Sequence, residues 1–222
     1  MINALIFDFD GLILDTETAE TRTWQNIYTE YGCPFPHDEF IKTVGGYGIS
    51  TFDAALHLHD LLRGSLNAEV LRIRFRDESG DAIRRSPILP GVTNILNEAK
   101  RRNMKLAVAS SSPHSWVDTH LTRLSLFQQF DKIICGDDVG RGRTKPKPDL
   151  FLKALNQLNL KANEALVFED SPNGIEAANA AGIAVVLVPN PTTSLLPFKG
   201  EYLKLKSLAD FSLADLLLHW EQ

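Results

Sequence analysis

Reactive side chains in this 222-residue chain stand directly behind short apolar runs. Asp8 and Asp10 follow Ala4-Leu5-Ile6-Phe7, Ser110-Ser111-Ser112 follows Leu106-Ala107-Val108-Ala109, and Glu169-Asp170 follows Ala165-Leu166-Val167-Phe168. Lys145 closes a Gly/Arg loop downstream of Lys132-Ile133-Ile134-Cys135, a run that itself ends at Gly136-Asp137-Asp138. Short apolar runs bounded by turn residues read as buried strands. In open parallel sheets, ligands bind outside the carboxyl ends of the strands. The reactive residues therefore converge on one crevice although they are far apart in sequence. Four carboxylates there (Asp8, Asp10, Glu169 and Asp170) repel one another, by several kcal/mol at an effective dielectric near 20 and a separation of roughly 4 Å. Lys145 alone does not offset this. A hard divalent ion with oxygen ligands does, and Mg²⁺ bound by one or two carboxylates plus a substrate phosphate suits the donor set. Carboxylates, a metal, a lysine and a hydroxyl at a helix N-terminus make a phosphate site. They supply the charge neutralisation and positioning that in-line phosphoryl transfer needs.

The elements that would position these groups follow from periodicity. From Thr16 to Arg85 the spacing is helical: Trp24, Ile27, Tyr28 and Tyr31 recur on one face, as do Phe52, Ala55, Leu56 and His59, and Leu71 pairs with Phe75. Breaks fall at Gly32-Cys33-Pro34 and at Gly45-Gly46-Tyr47-Gly48, the latter read as a turn lining the substrate pocket. After Pro87, helices and strands alternate. Val92, Ile95, Leu96 and Ala99 form one helical stripe, and Trp116, His120, Leu121 and Leu124 another. Asp149 is expected to cap a helix carrying Phe151, Ala154, Leu155 and Leu158. Ser171-Pro172 opens a further helix with Ser as N-cap and Pro at N1, and Gly182 closes it. Ala184 to Val188 is a last strand. Strands apolar on both faces and separated by helices imply a parallel sheet covered on both sides. The fold class is therefore α/β: a Rossmann-like parallel-sheet core of residues 1–15 and 87–222, with an all-helical domain, residues 16–86, inserted after the first strand.

Composition narrows the function classes. The formal charge is -5, with 44 % hydrophobic and 23 % charged residues, which gives no general affinity for nucleic acid or anionic membrane. The apolar run after Met1 is too short for a signal sequence, and no stretch has the roughly 20 apolar residues of a membrane span. Cys33 and Cys135 form no paired motif and read as reduced thiols. The expected location is the cytoplasm, and the expected state a monomer. Gly45 to Gly48 does not follow a strand, so it is no dinucleotide fingerprint, and no P-loop is present. His57 and His59 are two apart and point different ways on a helix. Arg141, Arg143 and Lys147 read as a solvated loop, and the role of His114, just past the serine run, stays open.

Four motifs together resemble the haloacid dehalogenase-like superfamily, in the subgroup holding beta-phosphoglucomutase and small-molecule phosphatases. They are Asp8-Phe9-Asp10-Gly11-Leu12-Ile13-Leu14-Asp15-Thr16, Ala109-Ser110, Lys145-Pro146-Lys147-Pro148-Asp149, and Glu169-Asp170-Ser171-Pro172-Asn173-Gly174. The resemblance covers nearly the whole core and places the helical insert where the family has its cap. It implies that Asp8 is a nucleophile that becomes phosphorylated, and that Asp10 is first the general acid and then the base. It implies phosphate contacts from Gly11, Ser110 and Ser111, and an orienting role for Lys145. Metal ligation would come from Asp8, Asp10 through its backbone carbonyl, and Asp170, with Glu169 direct or through water. Asp10 argues against the dehalogenase branch, because halide leaves without a proton donor. Beta-phosphoglucomutases carry a histidine where this chain has Glu20, and a cation in the cap loop where it has Gly46-Tyr47-Gly48-Ile49. The expected activity is thus Mg²⁺-dependent hydrolysis of a small phosphate ester. A phosphosugar mutase is the alternative enzyme, and a catalytically silent phosphate binder the alternative of another class.

Overall fold

A computed structural model describes residues 1–44 and 51–218; the expected turn at Gly45–Gly48 lies outside the described residues. Six strands form one parallel sheet: β1 (Ala4–Phe7), β2 (Lys105–Ala109), β3 (Lys132–Ile134), β4 (Ala165–Glu169), β5 (Ala184–Leu187) and β6 (Leu203–Lys204). Their order is β3-β2-β1-β4-β5-β6. The first strand is central, with Phe7 in register with Val108 of β2 and with Phe168 of β4. Alternation along β1 sends Leu5 and Phe7 into one buried apolar cluster and Ala4 and Ile6 into another. Both faces of the sheet are therefore covered, which is why its strands are apolar throughout.

The helices that cover the sheet are α5 (Val92–Arg101), α6 (His114–Arg123), α8 (Asp149–Leu158) and α9 (Pro172–Ala180), with a short α7 (Gly136–Val139) and a C-terminal α10 (Leu213–Leu218). The insert holds α1 (Thr16–Glu30), α2 (His37–Ile41), α3 (Ala54–Leu61) and α4 (Ala68–Arg85). It has its own apolar centre of Trp24, Ile27, Tyr28, Phe40, Ala55, Leu58 and Leu71. Trp24 stacks on Phe75 at 4.6 Å, and the Tyr28 hydroxyl donates to Ala54 O at 2.7 Å. The chain enters and leaves this unit through one paired crossing. Leu14 bridges Ile88 antiparallel, and Leu89 N donates to Ile13 O at 2.9 Å. Asp15 caps α1 by accepting from Thr18 N, and Ser171 caps α9 by accepting from Gly174 N with Pro172 behind it at N1.

Three local expectations are corrected. Asp149 does not cap α8; it is the first helical residue, and its carboxylate accepts from Arg143 Nε at 2.8 Å, so Arg143 is not merely solvated. Leu56 is exposed, because the buried face of α3 is Ala54, Ala55 and Leu58. The apolar pattern from Ala4 to Phe9 reads as one strand, but the strand ends at Phe7, since Phe9 O already accepts from Ile13 N in the turn that follows. Among the described residues no helix is long and apolar enough to cross a membrane.

Candidate active site

The carboxyl ends of β1, β2 and β4 meet at a cavity of about 390 Å³. Asp8, Asp10, Ser110, Ser111, Lys145, Glu169 and Asp170 all reach its wall, so the residues singled out in the sequence are brought together with one exception. Gly11 is not on the wall: its N–H donates to Leu14 O at 2.7 Å, and its carbonyl accepts from Asn190 Nδ2 at 3.2 Å. Its place is forced by packing. With φ at +83°, a Cβ there would stand 2.1 Å from Asp170 Oδ2, so only glycine lets the first loop lie against the Asp170 carboxylate.

Lys145 binds the site into one unit. Its ammonium donates to Asp8 Oδ1 and, at 2.6 Å, to Glu169 Oε1. All three side chains are nearly or wholly buried. The second oxygen of Glu169 accepts from Asp170 N at 2.9 Å, Ser171 N at 2.9 Å and Ser171 Oγ at 3.0 Å. Asp170 Oδ2 accepts from Asn190 Nδ2 at 2.8 Å. One carboxylate oxygen from each of Asp8, Glu169 and Asp170 lies within 4.8 Å of the others. Burial pushes the Asp8 carboxyl up, and Glu169 and Asp10 add to this, while Lys145 pulls the other way. One lysine shared by two carboxylates does not offset three, so the upward shift wins. Burial also raises Asp170 well above the usual carboxylate range, with Glu169 and Asp8 contributing. Burial opposes the charge on Lys145, but Asp8 and Glu169 outweigh it and hold the ammonium above the ordinary lysine value. Three buried oxygen donors with a deficit of positive charge fit a hard divalent cation.

Asp10 turns away from this cluster. Its Oδ1 accepts from Trp116 Nε1 at 2.8 Å, and its Oδ2 accepts from Ser112 Oγ at 2.6 Å and from Ser110 Oγ at 3.4 Å. Ser112 N donates to Ser110 Oγ at 3.0 Å, which ties the serine run together at the start of α6. From α1, Thr16, Glu17 and Glu20 complete the wall. Burial pushes the Glu20 carboxyl up to about 7, and the charge of Asp10 adds to the shift.

His114 lies outside the cavity wall. Its Nε2 faces Asp138 at 2.9 Å and its Nδ1 faces Asp118 at 3.2 Å. Burial works against its charge, but the bonds to Asp138 and Asp118 raise its pKa. It is a surface ion-pair residue that clamps α6 to α7. Sequence reasoning did not single out Trp116 or Asn190 for the site, and it placed Ser112 in the serine run without a role of its own. The strand-end rule that found Asp8 and Glu169 would have found Asn190, the first polar residue after β5. No local signal marks Trp116, which reads as part of the apolar stripe of α6.

Comparison with known proteins bears on the same geometry. The haloacid dehalogenase-like hydrolase family profile matches residues 5–188. The chain belongs to that family. It is 41 % identical over 220 residues to YhcW of Bacillus subtilis (strain 168), a phosphatase by name, covering 99 % of this chain and 98 % of that one. It is 34 % identical over 188 residues to the phosphorylated carbohydrates phosphatase of Thermotoga maritima, covering 82 % of each. Among solved structures, a Thermotoga maritima protein bearing the name beta-phosphoglucomutase superposes with a TM-score of 0.77 at 29 % identity, covering 98 % of this chain and 99 % of that one. The chain is a phosphatase of the haloacid dehalogenase-like family.

Proposed function

We propose that this enzyme is a Mg²⁺-dependent phosphatase of small phosphorylated metabolites that works through a phosphorylated Asp8. The observation that carries the reading is the Asp8 carboxylate at the end of the central strand, oriented by Lys145, with Asp10 two residues on and facing the serine run. Asp8 attacks phosphorus while Lys145 holds its Oδ1 and shields the incoming phosphoryl oxygens. Ser110 and Ser111 bind the phosphoryl group. Asp10 gives a proton to the leaving oxygen and then takes one from the water that opens the aspartyl phosphate.

Asp8, Asp170 and the backbone of Asp10 would hold Mg²⁺. When bound, the ion neutralises charge on the transferring phosphoryl group. Both Glu169 oxygens already accept from protein donors, so Glu169 acts by orienting Lys145 and the Asp170 loop, meeting the ion through water. Glu17 and Glu20 on the cap-side wall suit hydroxyl groups of the leaving alcohol. Lys145 is the one cation among the described wall residues, and residues 45–50 carry no charge in the sequence. These features support a monophosphate of a polyhydroxylated compound, such as a sugar phosphate, over a bisphosphate.

Residues 1–15 and 87–222 form the catalytic core in this reading, and residues 16–86 the cap that closes over the substrate. The separate apolar centre of the insert and the single crossing at Leu14 and Ile88 support those bounds. A cytoplasmic monomer is part of the proposal, in keeping with unpaired Cys33 and Cys135. The mutase reading draws on the structural neighbour's name. The deciding experiment follows a panel of phosphorylated metabolites with Mg²⁺ or with chelator, reading released phosphate and rearranged ester. Mg²⁺-dependent release that vanishes in Asp8→Asn supports hydrolysis. Moved phosphate selects the mutase, and neither product selects a silent binder.

A further inference from the structure

Asp10 is held at both oxygens by groups of different chemistry. An indole N–H only donates, whereas a hydroxyl donates or accepts. Oδ1, 2.8 Å from Trp116 Nε1, must therefore remain an acceptor whether or not Asp10 carries its proton. Oδ2, facing the hydroxyls of Ser112 and Ser110, is the oxygen free to carry it, since either hydroxyl can rotate to accept. We infer that Trp116 is a positioning residue of the acid–base step: it pins Asp10 through Oδ1 so that the transferable proton sits on Oδ2, on the side of the phosphate-binding serines.

The surroundings of Trp116 suit that task. The indole lines the cavity and packs edge-on against His120 at 4.4 Å. His120 is buried and meets Phe9, next to Asp10, at 6.3 Å, so the ring is supported from behind. Trp116 lies on α6, which opens directly after Ser112 and Pro113. One strand–helix junction thus supplies Ser110, Ser112 and Trp116. The orientation of Asp10 is set by the same rigid segment that binds phosphate, rather than by the mobile partner of a domain closure.

The step balances. As Asp8 forms its bond to phosphorus and the ester P–O bond breaks, the leaving oxygen takes the proton from Asp10 Oδ2 and departs as the alcohol. Asp10, now a carboxylate, then takes a proton from the water that attacks phosphorus. The bond to Asp8 breaks, phosphate leaves and the acid form returns.

The inference rests on the reading of Asp10 as the general acid, and the test separates the two. Burst-phase phosphoryl transfer to Asp8 is measured with an alkyl phosphate, whose leaving oxygen needs a proton, and with p-nitrophenyl phosphate, whose leaving group does not. Trp116→Phe keeps a ring but removes the N–H. Trp116→Met removes it with a different shape, should the first variant fail to fold. General acid catalysis contributes about 10²–10⁴-fold. Loss of aim at Asp10 is expected to lower the alkyl-to-nitrophenyl rate ratio by about tenfold, and Asp10→Asn by more. If Asp10→Asn lowers the ratio and neither Trp116 variant does, the inference is overturned and Trp116 only packs. If Asp10→Asn leaves the ratio unchanged, the general-acid reading falls, and the role of Trp116 with it.

Discussion

Glu169→Gln tests the electrostatic architecture with the least change of shape. The native carboxylate is fully buried and sits among four donors: Lys145 Nζ at 2.6 Å on one oxygen, and Asp170 N, Ser171 N and Ser171 Oγ at 2.9–3.0 Å on the other. A glutamine offers one acceptor and one NH₂ group. Whichever way the amide is rotated, its NH₂ meets donors: the Lys145 ammonium in one orientation, the two backbone N–H groups in the other. Stranding a buried donor costs about 1–3 kcal/mol; Lys145 keeps Asp8 as a partner, so no buried ion is left uncompensated. The expected loss for Glu169→Gln is therefore about 1–3 kcal/mol. With a urea slope of roughly 2–3 kcal/mol/M for a chain of this size, the unfolding midpoint falls by about 0.4–1.2 M. The assay is urea unfolding at neutral pH with chelator present, followed by tryptophan fluorescence. A midpoint within about 0.2 M of wild type, equivalent to roughly 0.5 kcal/mol, would refute the claim that Glu169 is held by these four donors.

Further outcomes follow from the same site. Gly174→Ala would ordinarily stabilise a helix by roughly 0.8–1 kcal/mol. Here the added Cβ would lie 1.8 Å from Glu169 Cδ, so the thermal midpoint of this variant is expected to fall and its phosphatase activity with it; a rise in midpoint would contradict the packing described. Glu20 is raised in the fold from 4.5 to about 7, so the fold favours its protonated form. That contribution to stability is complete below about pH 4.5 and is lost as pH rises through about 7. Glu20→Gln cannot ionise, and it is expected to exceed wild type in stability by about 1–3 kcal/mol at pH 8, less than the full shift implies because the residue is part-exposed. At pH 4.5 the gap should close, and melting curves at both pH values check the sign.

Much of the architecture was legible because strong local signals agreed with the tertiary fold. The apolar runs before Asp8, Ser110 and Glu169 became β1, β2 and β4, and the strand-end rule brought their polar residues to one cavity. The Ser171-Pro172 cap was legible from turn chemistry alone. What stayed hidden depends on contacts distant in sequence. Trp116 reaches Asp10 across 106 positions, and its place on an apolar helical stripe conceals a polar tip. Glu20 lies four residues after Thr16 and four before Trp24 on α1, so periodicity places it on a face without saying that this stretch of the face looks onto Asp10. The two residues of β6 pair only through β5, too short a strand for a sequence pattern. Gly11 was drawn to the phosphate by its motif, while its N–H is spent inside the turn.

The most direct measurement of the central claim is capture of the phosphorylated enzyme. Asp10→Asn should slow water attack more than transfer from an activated ester, so acid quenching during turnover of p-nitrophenyl phosphate with Mg²⁺, followed by peptide mass spectrometry, should place an acid-stable, base-labile phosphoryl group on Asp8. Asp8→Asn should carry none and release no phosphate. Rapid phosphate release by an enzyme that never carries a phosphoryl group on Asp8, or carries it on another residue, would contradict the account.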